Sequence, residues 1–316
     1  MNTIPAPRPL VILLILALTG CGEDRHSSPH TTPDTKPAAD RTTYDVTPNS
    51  EQTVPPQFSF PWFTGARYEP LSARVPTPPG FERIAAENTS FAAWLRALPI
   101  LPGRPDVHLF DGRKKDNQDA HHAVLAVDVG PADLQQCADA VIRLRAEYLY
   151  ARGLDDAITF RFTSGHLAEW AKWRDGFRPQ VRGNQVSWSK AAAAGRSYAN
   201  FRRYLDTVFT YAGTASLSRE LAAVPDPAQV QPGDVFIQGG HPGHAVIVVD
   251  VAADAAGRRI FLIAQSYMPA QEIHLLRNPA SPACPWYPAA SAGTLVTPEW
   301  TFRYEDLRRF TAPRTP

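Results

Sequence analysis

Residues 234–267 read DVFIQGGHPGHAVIVVDVAADAAGRRIFLIAQSY and hold three β-rich runs: DVFIQ, HAVIVVDV and IFLIAQSY. The last two are joined by AADAAGRR, a turn-forming link. Ala245 to Val249 is apolar on both faces, which marks a central strand covered on each side. If the hairpin closes symmetrically around AADAAGRR, Tyr267 lies across from His244 and Gln265 across from Val246. All three side chains then share one face. A one-residue slip would turn Gln265 away. Gly239, Gly240 and Gly243 keep the backbone before His244 open to a ligand. A catalytic base needs both a substrate proton and an orienting partner, so His244 is the candidate base and Gln265 its partner. His241, Gly243 and Tyr267 are candidate binding residues. The bland alternative is a strand-start histidine satisfied by a carbonyl, behind a plain glycine turn.

An echo, DAHHAVLAVDVG, begins at Asp119, but neither flank matches: His122 leads into a helix and His244 into a hairpin. A duplicated half would carry its neighbouring elements along. The echo therefore reads as a second buried strand, with His122 mainly structural. Asp119, His121 and His122, and separately His241 and His244, are donor types that zinc accepts. Neither group has helical His-Glu-x-x-His spacing, so no metal and no cofactor is expected.

Upstream, PADLQQCADAVIRLRAEYLYARG (131–153) reads as a helix, with Pro131 in its first turn and Gly153 at its end. Cys137 falls on its core stripe with Leu134, Ala138, Val141 and Ile142. RSYANFRRYLDTVFTYAG (196–213) is a second helix, and Thr214 or Ser216 could cap a short third. DAITFRF alternates like a strand, and the Trp170, Trp173 and Trp188 stretch reads as core or interface. Helices before strands predict an α+β fold with a mainly antiparallel sheet.

The chain opens MNTIPAPRPLVILLILALTGC. Its apolar core from Leu10 to Leu18 is far short of the about 20 residues that span a bilayer. It has the length of a signal-peptide core, and Leu18-Thr19-Gly20-Cys21 matches a lipobox. The expected organisation is a signal peptide over 1–20, lipidation at Cys21, a disordered tether over 21–57 rich in Pro, Thr, Ser and Asp, and one folded domain over 58–316. Gly22 carries no inner-membrane retention signal, so the expected location is the outer membrane, facing the periplasm. The formal charge of +1 offers no basic excess for phosphate, so nucleic acid is not an expected partner. Cys137 and Cys284 could pair in an oxidising compartment or remain free thiols.

Over nearly the whole stretch from about Glu82 to Phe310 the chain resembles the bacterial family known as domain of unknown function 4846. The residues that carry this include HHAVLAVDVGPADLQQCADAVIRLRAEYLY, PGDVFIQGGHPGHAVIVVD and AQSYMPAQEIHLLRNP. YAGTASL, VQPGDVFIQGG and GHAVIVVDV also resemble the middle of the NlpC-type cell-wall cysteine peptidases. Those have a papain-like core running helix, loop, Pro-Gly-Asp strand, then a histidine opening the next strand. This second resemblance implies that His244 is the base and that Gln265 orients it. It also implies a cysteine at the start of the helix ending in Ala212-Gly213. Counting back, that position falls near Asn200 and Phe201, with Ser197 one turn earlier and no cysteine present. Ser197 is then the candidate nucleophile and Asn200 a binding residue, while Cys137 could serve only in a rearranged fold.

The expectation is a periplasm-facing lipoprotein, held at the membrane by its N-terminal lipid. Its papain-like domain would act on or bind an envelope polymer such as peptidoglycan peptide. A non-enzymatic factor binding an envelope protein or polymer competes with this, and a metal-dependent hydrolase is third.

Overall fold

The computed structural model describes residues 58–65 and 68–311. The expected signal peptide, Cys21 and the tether over 21–57 lie outside the described residues. Among those residues no helix is long and apolar enough to cross a membrane.

The elements that place the site are, in chain order, β1 (Phe81–Arg83), α1 (Phe91–Arg96), β2 (His121–Val124), α2 (Cys137–Ala151), α3 (Tyr198–Tyr211), α4 (Thr214–Glu220), β3 (Val235–Gln238), β4 (His244–Asp254), β5 (Arg259–Gln265), β6 (His274–Leu276) and β7 (Leu307–Arg309). The main sheet runs β2-β6-β5-β4-β3-β7 and ends at the short strand Ala222–Ala223. β1 pairs with the far part of β4, and Tyr287–Pro288 with β5. Every ladder is antiparallel. The fold is α+β around a large antiparallel sheet.

β4 is central because its pleat feeds two apolar layers. Ala245, Ile247 and Val249 pack in the cluster shared with α2 and α3, while Val246 and Val248 pack with Phe236, Phe261 and Phe302. Near the hairpin's open end the ladder pairs Ile247 with Ala264 and Val248 with Ile263. After an irregularity between Val248 and Asp250 it shifts by one, pairing Asp250 with Leu262.

Trp170 and Trp173 are buried core. The helix expected from Pro131 starts instead at Cys137. Asp139, at its third position, accepts the Gln136 backbone N–H at 3.1 Å, a carboxylate cap for the first turn. The residues before it are held by the 266–270 segment that follows β5 rather than by helical bonds. Asp133 Oδ1 accepts the Ala270 N–H at 2.6 Å, and the Gln135 carbonyl accepts the Ser266 hydroxyl at 2.7 Å. These ties fix the start of α2 beside the end of β5. A helix buried from Cys137 to Tyr150 must also satisfy Arg143. Glu147 Oε1 at 2.6 Å, Asp128 Oδ1 at 2.8 Å and Gln135 Oε1 at 2.8 Å do so.

Candidate functional site

His244 opens β4 and Gln265 closes β5. Because the ladder pairs Ile247 with Ala264, the pleat sets Gln265 across from Val246, on the His244 face. His244 Nε2 and Gln265 Oε1 are 2.8 Å apart. Tyr267 lies against the imidazole with ring centroids 4.8 Å apart, and Trp300 lies at 5.3 Å. Three groups from elsewhere in the chain complete the cluster. Gln265 Nε2 donates to Glu299 Oε2 at 2.8 Å, His274 Nε2 stands 3.4 Å from the same nitrogen, and the Lys115 ammonium pairs with Glu299 Oε1.

The cluster is closed, with His244 and Gln265 each 1% exposed. Burial pushes His244 down to about 4, against the opposing hydrogen bond with Gln265, and nearby Lys115 lowers it further. Burial likewise pushes His274 down to about 3. Both imidazoles are neutral at pH 7, the form a base requires. A histidine lowered on folding takes up a proton on unfolding, so its stabilising share is complete above about pH 6.5 and is lost as pH falls toward the folded value. Each unit of displacement carries about 1.4 kcal/mol. Between pH 7 and 5, wild type should therefore lose up to about 2 kcal/mol more stability than His274→Gln. Urea unfolding at both pH values measures this; equal losses would remove the claim that His274 is held neutral.

The turn before His244 differs from expectation. A Cβ on Gly243 would stand 2.4 Å from the Gly240 carbonyl and 2.5 Å from Thr214 Oγ1, and one on Gly239 would stand 2.3 Å from Ser218 Oγ. The glycines seat the turn tightly against α4 instead of leaving room for a ligand. His241 is exposed at its tip. His122 is half-buried on β2, whereas His121 is buried, bonds the Pro105 carbonyl at 2.9 Å and meets the His274 ring at 6.2 Å. Among the described residues no three His, Cys, Asp or Glu side chains gather as a metal site.

Ser197 and Asn200 are not brought to His244. Ser197 Oγ caps α3 by accepting the Asn200 N–H at 3.3 Å. Asn200 Oδ1 accepts from Trp173 Nε1 at 3.0 Å, and its Nδ2 donates to the Gly195 carbonyl at 2.7 Å. The helix that counting back from Ala212-Gly213 selects, α3, carries no cysteine. The cysteine at a helix start is Cys137, and its helix packs on β4. Both Cys137 and Cys284 are free thiols. Burial pushes the Cys137 thiol up to about 11 and Asp139 adds to this, while the Ala138 and Ala245 peptides favour the thiolate. Ala245 directly follows His244, and Tyr267, tilted against His244, also feels Cys137. Cys137 thus meets the Ala245 peptide, the His244 imidazole lies on the Val246 face of β4, and no hydrogen bond joins thiol and imidazole among the described residues.

A groove of about 310 Å³ lined by Leu134, Trp173, Arg178 and Asp206 shares no residue with the cluster. His244 is covered by the rings of Tyr267, Trp300 and Phe302.

The sequence placed Cys137 mid-helix, as a nucleophile only in a rearranged fold, and gave no sign of His274, Lys115 or Glu299. Only Cys137 had a usable signal, the Asp at its third helical position. A family model described as Domain of unknown function (4846) matches residues 71–309. No curated protein and no solved structure matches the chain.

Proposed function

Since the chain belongs to the domain of unknown function 4846 family, whose description names no activity, we propose a function from the site itself: a papain-like thiol hydrolase of amide bonds. Cys137 is the nucleophile, His244 the base and Gln265 its orienting partner. The observation that carries this is the Cys137 thiol at the first position of α2, acted on by the peptide of the residue after a neutral, Gln-bonded histidine. A helix start favours a thiolate through its partial positive charge. Burial outweighs that field in the closed state, so the thiol keeps its proton until substrate arrives.

In the reaction, the Cys137 proton passes to His244 Nδ1 as sulfur attacks the amide carbonyl carbon. The tetrahedral adduct collapses, the C–N bond breaks and the leaving amine takes the proton from Nδ1. Water, deprotonated by His244, then cleaves the thioester to a carboxylate and the thiol. The substrate class is an envelope polymer, peptidoglycan peptide, reached from an outer-membrane lipid anchor at Cys21. A lipobox joined to a short apolar core supports that location.

The closed cover and the missing thiol–imidazole bond favour a second reading, an envelope-binding factor without turnover. Purified full chain incubated with peptidoglycan, with and without chelator, separates them. New amine and carboxyl ends insensitive to chelator are expected. Retention without products would favour the binding factor, and chelator-sensitive products a metal hydrolase. Separately, Cys21→Ala should leave the membrane fraction after a high-salt wash. A variant that still sediments with membranes would remove the anchor.

A further inference from the structure

The hydrogen bonds around Gln265 form a chain in which each proton can be assigned. His274 Nδ1 lies 2.9 Å from the Glu272 carbonyl, which can only accept, so Nδ1 carries the ring proton and Nε2 is bare. That bare nitrogen stands 3.4 Å from Gln265 Nε2. Glu299 Oε2, a carboxylate oxygen neutralised by Lys115, stands 2.8 Å from the same Gln265 nitrogen. Both neighbours accept, so the Gln265 amide must turn its NH2 toward them and its oxygen toward His244. That oxygen accepts from His244 Nε2, which therefore bears the proton. The remaining nitrogen, Nδ1, keeps its lone pair and has no hydrogen-bond partner among the described residues.

We propose that Glu299 is a positioning residue: it fixes the Gln265 carboxamide in the orientation that makes Nδ1 of His244 the base. Glu299 touches neither His244 nor the thiol and acts through Gln265. It reaches the cluster from the 297–300 turn that covers the site, so the segment that closes over the histidine also sets its tautomer. Thr297 and Trp300 shape this turn, since Thr297 Oγ1 donates to the Trp300 carbonyl at 2.7 Å and accepts its N–H at 3.0 Å. The inference rests on the thiol-hydrolase reading for its consequence in turnover, but not for the tautomer.

Glu299→Gln reverses the pattern without changing shape. The Lys115 ammonium can only donate, so the new amide gives Lys115 its oxygen and turns its NH2 toward Gln265. Gln265 then flips, its NH2 faces His244 Nε2, and the imidazole proton moves to Nδ1. The test is ring ¹⁵N NMR of the full chain carrying ¹⁵N-histidine, with the His244 signals identified by their loss in His244→Ala. Wild type should show protonated Nε2 and bare Nδ1, and Glu299→Gln mainly the opposite tautomer. Turnover of peptidoglycan peptide by Glu299→Gln should fall about 10²-fold in kcat with little change in KM, the size of a general-base contribution. Glu299→Ala, which removes the acceptor without adding a donor, is the second variant if the first does not fold; it should give a mixture of tautomers. A wild-type Nδ1–H signal, or protonated Nε2 unchanged in the folded variants, overturns the proposal. If the tautomers behave as stated but Cys137→Ala keeps full activity, the positioning role stands and the thiol mechanism fails.

Discussion

Cys137→Ala should reduce amide hydrolysis on the order of 10³-fold or more while the chain still folds. A nucleophile removed from a unit that acts together leaves only what binding and fixed dipoles supply. His244→Ala should reduce the rate comparably, and the double variant should be little worse than either single one. Stability tells the two apart. The alanine at position 137 loses one buried sulfur and keeps the first turn, whose cap is the Asp139 carboxylate on Gln136 N–H, so the cost is about 1 kcal/mol or less. The alanine at position 244 removes a ring packed on Tyr267, Trp300 and Phe302 and leaves Gln265 Oε1 buried without a partner. An unsatisfied buried acceptor costs about 1 to 3 kcal/mol. Initial rates of new amine ends on peptidoglycan, with melting curves on the same samples, measure both. Cys137→Ala retaining more than about a tenth of wild-type rate would refute its role as nucleophile.

Asp250→Ala should destabilise the fold by about 3 to 5 kcal/mol, the largest stability effect expected here. Asp250 sits inside β4 with a fully buried carboxylate that takes Arg83 Nε and Arg96 Nε, each at 2.6 Å, and the Val251 N–H at 2.9 Å. Arg83 belongs to β1 and Arg96 closes α1, so one carboxylate ties two elements to the central strand. Its removal strands two guanidinium groups, of which Arg96 is only 13% exposed. For a domain of this size the loss corresponds to a melting temperature about 6 to 20 °C lower. Denaturant unfolding gives the free energy directly. A change below about 1 kcal/mol would mean that water reaches both arginines readily.

The hairpin that carries His244 and Gln265 was legible because its runs are apolar on both faces and its turn is short and polar. Those two features set the register near the open end, where Ile247 meets Ala264. The irregularity at Asp250 was not legible. In sequence this aspartate looks like the end of an apolar run, and only the arginines of β1 and α1 explain its burial. The start of α2 was misread for a related reason. Pro131 and Asp133 are good helix openers, but Asp133 and the Gln135 carbonyl are engaged by Ala270 and Ser266, far along the chain. Local preference yields to tertiary hydrogen bonds there. That six-residue error put Cys137 mid-helix among core residues, whereas the helix in fact begins with it. Lys115, His274 and Glu299 were invisible because each reaches the site from a separate loop or strand, and no periodicity marks such residues.

The central claim is that Cys137 carries the acyl group during turnover. Full chain mixed with peptidoglycan peptide, quenched in acid within the first turnovers and mapped by mass spectrometry, tests it most directly. The account predicts an added acyl mass on the peptide containing Cys137, removed by neutral hydroxylamine as a thioester is and absent from His244→Ala. An acyl mass on the peptide containing Ser197, or steady product release by Cys137→Ala, would contradict it.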